Sequence, residues 1–388
     1  MVNGNSTGQG WIVGVDASNL RAGGGLTHIA EILSAARPES HGIQRVVVWG
    51  GADTLAKLPA REWLQLENPS SLNGNKVRRI MWQRTALKKA AFQAHCDVLF
   101  VPGGSFATQF RPIVTMSRNM LPFELNEMRR YAFSTTGLRL LALRIAQTRS
   151  FRRADAVIFL NQYAKETVCK TTGSLPGTTA IIPHGRNVRF EIPPKHQKPI
   201  TSYSATSPLR LVYVSIIDQY KHQWQVVEAV SLLRRNGWEI QLDLVGPFYA
   251  PALTRLNAAV AIHDPQGRWV RYHGSVAHEA LHEIYASADI GVFASSCENM
   301  PNILLESMSA GLPIACSNRG PMPEMLGDVG TYFDPENSRS IEAALRTLIE
   351  STDLRTRYAK GAFERSRKFT WSRCASDTFS LLSAIAAA

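Results

Sequence analysis

The strongest constraint in the sequence is a repeated alternation of short Val- and Ile-rich runs with helical patterns. Six runs lie in the first half, from IVGVDA to TAIIPHG, and six lie in the second half, from LRLVYVS to GTYFDP. Each run is bounded by Gly, Pro, Asn or Asp, which is typical of strands buried in a parallel sheet. Parallel strands need helical crossovers, so the pattern predicts an α/β protein with two doubly wound, Rossmann-like domains facing each other across a cleft.

A polar stretch separates the two series. The segment at 191–208, EIPPKHQKPITSYSATSP, is rich in Pro, Lys and Ser and indicates an interdomain linker. We therefore expect an N-terminal domain at 1–200 and a C-terminal domain at 201–372. A chain of 388 residues is long enough for two such cores.

Composition favours a folded protein of a reducing compartment. The apolar fraction is 45% and the charged fraction 19%, and no apolar run reaches the roughly 18 residues that span a bilayer. The first ten residues lack the apolar core of a secretory signal. Five cysteines are dispersed without CxxC spacing, which argues against a disulfide framework or a zinc site. We expect a cytoplasmic protein.

The charge is concentrated in one half. Residues 1–200 carry a net charge of +14, whereas residues 201–388 carry −2. A solvated basic surface would explain this distribution, and so would an anionic partner such as acidic lipid headgroups, a phosphate-bearing acceptor or nucleic acid. We favour an anionic membrane surface over nucleic acid. Our candidate for this membrane-binding surface combines six cations with Trp82, an aromatic residue suited to an interface. The cations are Lys76, Arg78, Arg79, Arg84, Lys88 and Lys89.

The most informative segment is ASSCENMPNILLESMSAGLPIACSNRGPMPE at 294–324. Pro301 and Asn302 favour a helix start after a strand, and Glu298 and Glu306 flank that start. Ligands of open α/β sheets bind at the carboxyl ends of strands. A carboxylate can accept two hydroxyl hydrogen bonds, as vicinal diols of a sugar or ribose require, and a helix N-terminus attracts phosphate. Alternatively, Glu306 is an exposed helix residue and Glu298 a capping residue.

This segment, continued by GPMPEMLGD and GTYFDP, resembles the E-x7-E region of retaining glycosyltransferases of family 4, which have the GT-B fold. The resemblance implies that Glu298 contacts the donor sugar, that Glu306 contacts the ribose, and that Asn302 and Ile303 face the diphosphate. The family commonly has Gly-Phe-Gly after the first Glu, whereas Met300 lies in an Asn-Met-Pro variant here. The GT-B fold also implies that the domain at 1–200 lies on the acceptor side and that the domain at 201–372 binds the nucleotide sugar. It further implies a final helix, at 373–388, that packs back on the first domain.

A second stretch, LVYVSIIDQYKHQWQVVEAV, is similar to the family's strand–loop–helix that binds the diphosphate. Lys221 matches the family's Lys and is a catalytic candidate, because a cation stabilises the departing diphosphate. Ser215 takes the place of a Gly, and Ile216 takes the place of an Arg. Arg319 or Arg186 would have to supply the second cation.

The glycine-rich turn between the first strand and the first helix is a further candidate. Gly24 and Gly25 allow close approach of a backbone to a phosphate or sugar, and by resemblance they belong to the family's glycine loop over the donor phosphates. A plain flexible turn is the alternative. Asp16, at the preceding strand end, is an acceptor-side candidate.

Two other strand ends complete the predicted site. Relatives often have a His in the segment IVTMSRNMLPFE, where this chain has Ser-Arg-Asn. We assign Asn119 as the catalytic substitute and Arg118 to the acceptor side. His184, at the end of the last strand of the first series, is also an acceptor-side candidate, although a lone His after a strand is more often structural.

These features predict a retaining hexosyltransferase of bacterial surface polysaccharide assembly. Its co-substrate would be a GDP- or UDP-sugar, and its acceptor would be a glycan or a lipid-linked oligosaccharide. We expect the protein to bind peripherally to the inner face of the cytoplasmic membrane. The chain contains no D-x-D motif, so we expect neither a metal site nor a bound cofactor. A nucleotide-sugar epimerase of the same fold and a non-enzymatic anion-binding module are the alternatives.

Overall fold

The chain folds into two compact units. The computed structural model describes residues 10–21 and 23–388, so the prediction about a secretory signal falls on residues that, apart from Gly10, lie outside the described part. Unit 1 comprises the described residues up to Phe123 together with Phe133–Gly185 and Thr370–Ala388. Unit 2 comprises Glu124–Ala132 and Arg186–Phe369.

Unit 1 is built on a parallel sheet with the strand order β3-β2-β1-β4-β5-β6-β7. Its strands are β1 (Trp11–Asp16), β2 (Ile43–Trp49), β3 (Leu64–Glu67), β4 (Val98–Val101), β5 (Ile113–Met116), β6 (Ala156–Phe159) and β7 (Thr178–Ile181). The first helices in the chain are α1 (Gly24–Ala35), α2 (Ala52–Leu55), α3 (Lys76–Thr85), α4 (Leu87–Gln93), α5 (Leu125–Arg129), α6 (Thr135–Arg153) and α7 (Gln162–Thr172). Of these, α5 belongs to unit 2.

Unit 2 contains a second parallel sheet, with the order β10-β9-β8-β11-β12-β13. Its strands are β8 (Leu209–Val214), β9 (Ile240–Val245), β10 (Val270–Tyr272), β11 (Ile290–Phe293), β12 (Ile314–Ser317) and β13 (Thr331–Phe333). The remaining helices are α8 (Gln223–Arg235), α9 (Ala250–His263), α10 (Leu281–Ser287), α11 (Asn302–Ser309), α12 (Met322–Leu326), α13 (Ser338–Glu350), α14 (Thr352–Ser366) and α15 (Trp371–Ala386). Short 3₁₀ helices lie at Pro38–His41, Ser70–Asn73, Val188–Phe190 and Ile200–Ser202.

The central strands are buried because crossover helices cover both faces of each sheet. All four residues of β4, β5, β6, β11 and β12 are buried. The edge strands are more exposed, and sequence analysis missed one of them, β3, whose sequence is LQLE. Its alternating polar residues lack the continuous apolar run of a central strand.

The boundary between the units differs from the predicted one at residue 200. The segment at 186–199 is packed within unit 2, where Ile192 N donates to Ser309 O at 3.0 Å and the Phe190 ring lies 5.7 Å from that of Tyr285. The predicted linker therefore begins as an ordered part of unit 2. The final helix starts at Trp371 rather than 373, because Thr370 caps it by accepting a hydrogen bond from Arg373 N, and α15 belongs to unit 1.

Arg355 is fully buried in unit 2, and its hydrogen bonds connect α14 to the segment at 197–198 near the start of that unit. Its guanidinium donates to Leu348 O at 2.6 Å and Ile349 O at 2.7 Å, and also to Lys198 O and the side chain of Gln197. A buried charge is tolerated where each N–H finds an acceptor.

No helix of the described residues is long and apolar enough to cross a membrane.

We expect Arg355→Met to destabilise unit 2 by about 3 kcal/mol, because buried carbonyl oxygens lose their donors. Urea unfolding followed by circular dichroism measures this effect. Arg357→Met, an exposed position on the same helix, is the matched control. Equal midpoints for the two variants would show that the Arg355 hydrogen bonds do not stabilise the unit.

Candidate active site

The predicted donor residues lie where the strand order of unit 2 reverses. Strands β9 and β10 extend the sheet to one side of β8, and β12 and β13 extend it to the other side of β11. Connections from neighbouring central strands diverge at such a point and leave a crevice at the carboxyl edge. Lys221 follows β8 and Glu298 follows β11, so both loops that border this crevice carry predicted residues.

Lys221 and Glu298 form an ion pair across that crevice, with the Lys221 ammonium donating to Glu298 Oε1. The Lys221 side chain is 5% exposed and the Glu298 side chain 15%. The rings of Tyr220 and Phe293 lie 4.9 and 5.4 Å from the ammonium nitrogen. Aromatic faces and a carboxylate together compensate the desolvation of the buried cation. An ammonium carries three donors, so a ligand oxygen can bind it beside Glu298.

Hydrogen bonds between the two loops hold this pair in place. Ser296 N donates to Tyr220 O at 2.8 Å, and the His222 ring shares a hydrogen bond of 2.9 Å with Ser296 Oγ. His222 has a positive φ of 53°, so the chain turns sharply just before α8. Burial lowers the pKa of His222 to about 4, so its ring is neutral at pH 7.

Glu306 lies on α11 and is bound by two aromatic side chains. Tyr285 Oη donates to Glu306 Oε2 at 3.2 Å, and His278 Nε2 lies 3.4 Å from Glu306 Oε1. The hydrogen bond to Glu306 raises the pKa of His278. Burial, with the charge of Glu306 next, raises the pKa of Tyr285 well above its usual range. Tyr285 therefore remains a neutral donor that orients the carboxylate.

The start of α11 has free backbone donors. Pro301 provides no side-chain cap, and the first intrahelical hydrogen bonds come from Leu304 N and Leu305 N, both to Pro301 O. The N–H groups of Asn302 and Ile303 precede those bonds and lack intrahelical acceptors. Both residues are partly exposed, whereas Met300 before them is buried. The helix start can therefore accept an anion, as predicted for these positions.

Ser215 is buried at the end of β8, beside the loop that follows β9. Its N–H donates to Val245 O at 2.7 Å, and a Cβ on Gly246 would lie 2.2 Å from Ser215 O. Only glycine therefore fits at 246, where φ is 145°. The backbone of Ser215 therefore contacts the loop after β9. This contact fixes the direction in which the chain leaves β8 towards Lys221.

Both cations suggested as substitutes at position 216 have carboxylate partners within unit 2. Arg319 binds Asp334 at 3.1 Å, and Arg186 binds Glu191 at 2.9 Å. Each guanidinium has five N–H donors, so the pairs do not by themselves exclude a ligand, and no contact in the described part of the chain places either cation beside Lys221. The roles suggested for Arg319 and Arg186 therefore remain predictions.

The candidates of unit 1 surround the turn after β1. Asp16 is buried, and its two oxygens accept from Ser18 N at 3.0 Å and from the Gln83 amide. Burial raises the pKa of Asp16. Gly24 and Gly25 form the first turn of α1. Asp16 thus orders the loop that leads to these glycines, and an acceptor would have to compete for its oxygens.

His184 is buried against a second histidine that the sequence analysis did not single out. Nδ1 of His184 and Nδ1 of His28 are 2.8 Å apart, and the Trp371 ring packs 5.7 Å from each imidazole. Burial lowers the pKa of His184 to about 3 and that of His28 well below 6.5. The pair is neutral, so one nitrogen donates and the other accepts.

The two candidates after β5 have different surroundings. Asn119 Oδ1 accepts a hydrogen bond from Leu121 N at 3.1 Å and so shapes its own loop. Arg118 extends to the first turn of α1, where its guanidinium lies beside Gly24 and Gly25. Within residues 10–21 and 23–388, no group of three or more His, Cys, Asp or Glu side chains is placed to hold a metal ion.

Known proteins resemble this chain in both sequence and fold. Residues 199–365 match the family described as glycosyl transferases group 1. The O-antigen chain mannosyltransferase B of Escherichia coli is 33% identical over 110 residues, which are 28% of this chain and 29% of that protein. A GDP-mannose-dependent alpha-(1-6)-phosphatidylinositol dimannoside mannosyltransferase of Mycobacterium tuberculosis is 23% identical over 62% of this chain and 61% of its own length. The chain thus spans less than two thirds of each relative.

The solved structure of sucrose-phosphate synthase from Thermosynechococcus elongatus superimposes with a TM-score of 0.72 at 17% identity, covering 96% of this chain and 98% of that one. The predicted α/β fold of the GT-B class is thereby confirmed. Lys221, Glu298 and Glu306 all lie within the residues that match the family described as glycosyl transferases group 1.

Sequence reasoning missed the neighbours that orient the predicted residues. His278 and Tyr285 lie before and within α10, and His222 directly follows Lys221. The adjacent Lys-His dipeptide after a strand was an available signal for His222. Nothing local marks His278 or Tyr285, because their link to Glu306 spans 28 and 21 residues.

We expect Glu306→Gln to lower the pKa of His278 towards its ordinary value of about 6.5, because the carboxylate that stabilises the imidazolium is lost. A raised pKa in the folded state means that this contact stabilises fully below about pH 6.5 and is lost as the pH rises through the raised pKa. Histidine-selective NMR titration measures the change. Glu279→Gln is the matched control, since Glu279 contributes least among the groups acting on His278. Equal shifts in both variants would contradict this coupling.

Proposed function

We propose that this protein is a retaining glycosyltransferase that transfers a hexose from a nucleotide-diphosphate sugar to a glycan acceptor in surface polysaccharide assembly. The observation that carries the proposal is the ion pair between Lys221 and Glu298 at the point where the strand order of unit 2 reverses. It places a cation and a carboxylate together in a segment of group 1 type. An anion-binding module would have no need of a half-buried carboxylate beside its cation.

Donor recognition is assigned to unit 2. Glu306, oriented by Tyr285, accepts from the ribose hydroxyls, and Glu298 accepts from hydroxyls of the sugar. The diphosphate lies against Lys221 and the N–H groups of Asn302 and Ile303. Two relatives are named as mannosyltransferases, one of them GDP-mannose-dependent, so GDP-mannose is the first donor to test and UDP-glucose the second.

The reaction follows from where negative charge develops. The bond between the anomeric carbon and the diphosphate oxygen breaks, and an acceptor hydroxyl oxygen bonds to the same face of that carbon. The proton of the hydroxyl passes to the departing diphosphate. Lys221 and the start of α11 stabilise the growing charge on that leaving group, and the step needs no metal ion. In unit 1, Asn119 is assigned a catalytic role, and Asp16, His184 and Arg118 are assigned to the acceptor side.

We expect Glu306→Gln and Glu298→Gln to separate binding from transfer. Loss of the Glu306 carboxylate should weaken binding of the free nucleotide about tenfold, because ribose hydroxyls lose a charged acceptor. Loss of the Glu298 carboxylate should leave nucleotide affinity intact and lower kcat. Calorimetry with GDP and UDP, and transfer assays with both donors, measure these effects.

Glu283→Gln, an exposed position on α10, is the matched control. Each transfer assay is run with and without a chelator, and turnover should persist in both. Identical profiles for Glu298→Gln and Glu306→Gln would contradict the separate roles, and loss of turnover restored only by Mn²⁺ would contradict the metal-independent step. Donor turnover without any acceptor product would favour an epimerase.

We also propose that unit 1 docks on an anionic membrane surface through the helix pair α3–α4. These helices contain no acidic residue, and exposed apolar side chains lie among their cations, namely Val77, Ile80, Met81 and Phe92. Phe92, Lys88 and Lys89 line an open depression of about 460 Å³. Mixed apolar and cationic side chains are typical of helices that bind the headgroup region.

The expected role of Trp82 in this surface is wrong. Trp82 is 8% exposed because α3 turns it towards the interior of unit 1, and Met81, its neighbour, is exposed instead. Arg79 is also less available, since it is partly buried and donates to Gly74 O. The exposed cations of the surface are Lys76, Arg78, Arg84, Lys88 and Lys89.

We expect Lys88→Gln/Lys89→Gln to weaken binding to vesicles containing anionic phospholipid roughly 30-fold at low salt, since each cation contributes about 1 kcal/mol. Co-sedimentation across a salt series measures this effect, and binding should fade as salt increases. Arg139→Gln/Arg149→Gln on α6 removes the same charge elsewhere on unit 1. Equal losses in the two double variants, or equal binding to neutral vesicles, would exclude this surface as the docking site.

A further inference from the structure

We propose that Tyr131 is a positioning residue, which holds the turn before Lys221 and thereby fixes the Lys221 ammonium for a diphosphate. The inference rests on the proposed function for its ligand, but the position of Lys221 can be tested without one. Tyr131 belongs to the segment Glu124–Ala132, which contains α5 and is called the α5 segment. This segment lies between β5 and α6 in the chain, yet it packs within unit 2.

The hydroxyl of Tyr131 binds the side chain that begins the turn. It donates to Asp218 Oδ1 at 2.6 Å, and the same oxygen accepts from Gln219 N at 2.7 Å. Tyr131 is 4% exposed, and burial, followed by the hydrogen bond to Asp218, raises the pKa of its hydroxyl. Tyr131 is therefore a neutral donor at pH 7. A hydrogen bond to a carboxylate is stronger than one between neutral groups.

The backbone of Asp218 connects this hydrogen bond to Lys221. Asp218 O accepts from Lys221 N at 3.0 Å, which closes a four-residue turn. Asp is favoured at the first position of such a turn. On the other side, Tyr213 Oη donates to Lys221 O at 2.8 Å. The backbone of Lys221 is therefore held through both its N–H and its carbonyl oxygen, while its side chain is paired with Glu298.

The α5 segment is itself fixed to unit 2 at other points. Arg130 donates to Glu336 Oε1 at 2.6 Å, in the loop after β13. The Tyr131 ring lies 5.9 Å from that of Tyr249, which directly precedes α9. Tyr249 N donates to Ile217 O at 2.8 Å, at the residue before the turn. The segment thus contacts the loops after β8, β9 and β13, so Tyr131 holds the turn from a fixed base.

The α5 segment also borders the ion pair of the candidate active site. Burial raises the pKa of Cys297 well above its usual range, and after burial the charges of Glu124, Glu298 and Glu127 raise it while Lys221 lowers it. Two carboxylates of the α5 segment therefore act on the same thiol as both members of the ion pair. The Tyr131 hydrogen bond thus lies beside the group that it positions.

The reactivity of the Lys221 amine towards acetic anhydride tests this role without a ligand. The Lys221 side chain is 5% exposed, so acetylation requires a local opening, and its rate follows the population of the open form. Tyr131→Phe removes the hydroxyl and keeps the ring. We expect it to raise the rate roughly tenfold, which corresponds to the loss of one hydrogen bond. Peptide mass spectrometry measures the rate, with the exposed Lys360 as the internal reference.

Tyr332→Phe is the matched control, because it removes a tyrosine hydroxyl that donates to Gly327 O elsewhere in unit 2. Its Lys221 rate should equal that of wild type. Asp218→Ala removes the Tyr131 hydrogen bond from the other side, so adding Tyr131→Phe to it should raise the rate no further. An unchanged rate in Tyr131→Phe, or an equal rise in Tyr332→Phe, would overturn the proposal.

Binding of GDP compared with guanosine, and of UDP compared with uridine, connects this position to the diphosphate. In Tyr131→Phe the affinity for both nucleotides should fall roughly tenfold and that for both nucleosides should stay unchanged, because Lys221 is assigned to the phosphates. In a Lys221→Met background, Tyr131→Phe should have no further effect. Equal losses for nucleotide and nucleoside would overturn the role towards the diphosphate. If wild-type protein binds neither nucleotide while the Lys221 rate still rises in Tyr131→Phe, the proposed function fails and the positioning of Lys221 by Tyr131 is retained.

Discussion

Parallel strand pairing is the constraint on which the rest of the structure depends. Every strand pair within the two named sheets is parallel, so each connection must cross from one end of a sheet to the other. Helices cover both faces, and the polar loops collect at the carboxyl edges. In each sheet the order reverses once, between β1 and β4 in unit 1 and between β8 and β11 in unit 2. Lys221 and Glu298 follow the two strands at the reversal in unit 2, and Asp16 ends one of the two strands at the reversal in unit 1. Diverging connections leave a crevice at such a point.

Three largely buried cations illustrate different ways of compensating charge. Arg355 is surrounded by carbonyl oxygens and connects segments of unit 2, so its role is structural. Lys221 is paired with Glu298 and lies against aromatic rings, so it is held ready beside a carboxylate. Arg118 has neither kind of partner among residues 10–21 and 23–388, and its guanidinium lies beside the backbone of Gly25. From Arg355 to Lys221 to Arg118, fewer protein groups compensate the positive charge. An external anion would therefore stabilise Arg118 the most.

Several polar side chains near these candidate residues are neutral. Burial lowers the pKa of His222, His28 and His184, so three imidazoles near the candidate residues are uncharged at neutral pH. Tyr285 likewise keeps its proton beside Glu306. Tyr285 orients Glu306 by a hydrogen bond without cancelling its charge. The candidate sites of both units therefore keep their charges available to a ligand.

The sequence alone determined the two series of parallel strands, the approximate helices and the positions of Glu298 and Glu306 around a helix start, since these depend on local periodicity and on residues close in the chain. It did not reveal β3, whose edge position removes the continuous apolar run, or the burial of Trp82, which depends on the direction that α3 faces. Only the tertiary structure decided that Lys221 meets Glu298 across 77 residues and that Arg118 lies against Gly25. Contacts of this kind form when separate loops close on one sheet edge, and no local pattern encodes which side chains then become neighbours.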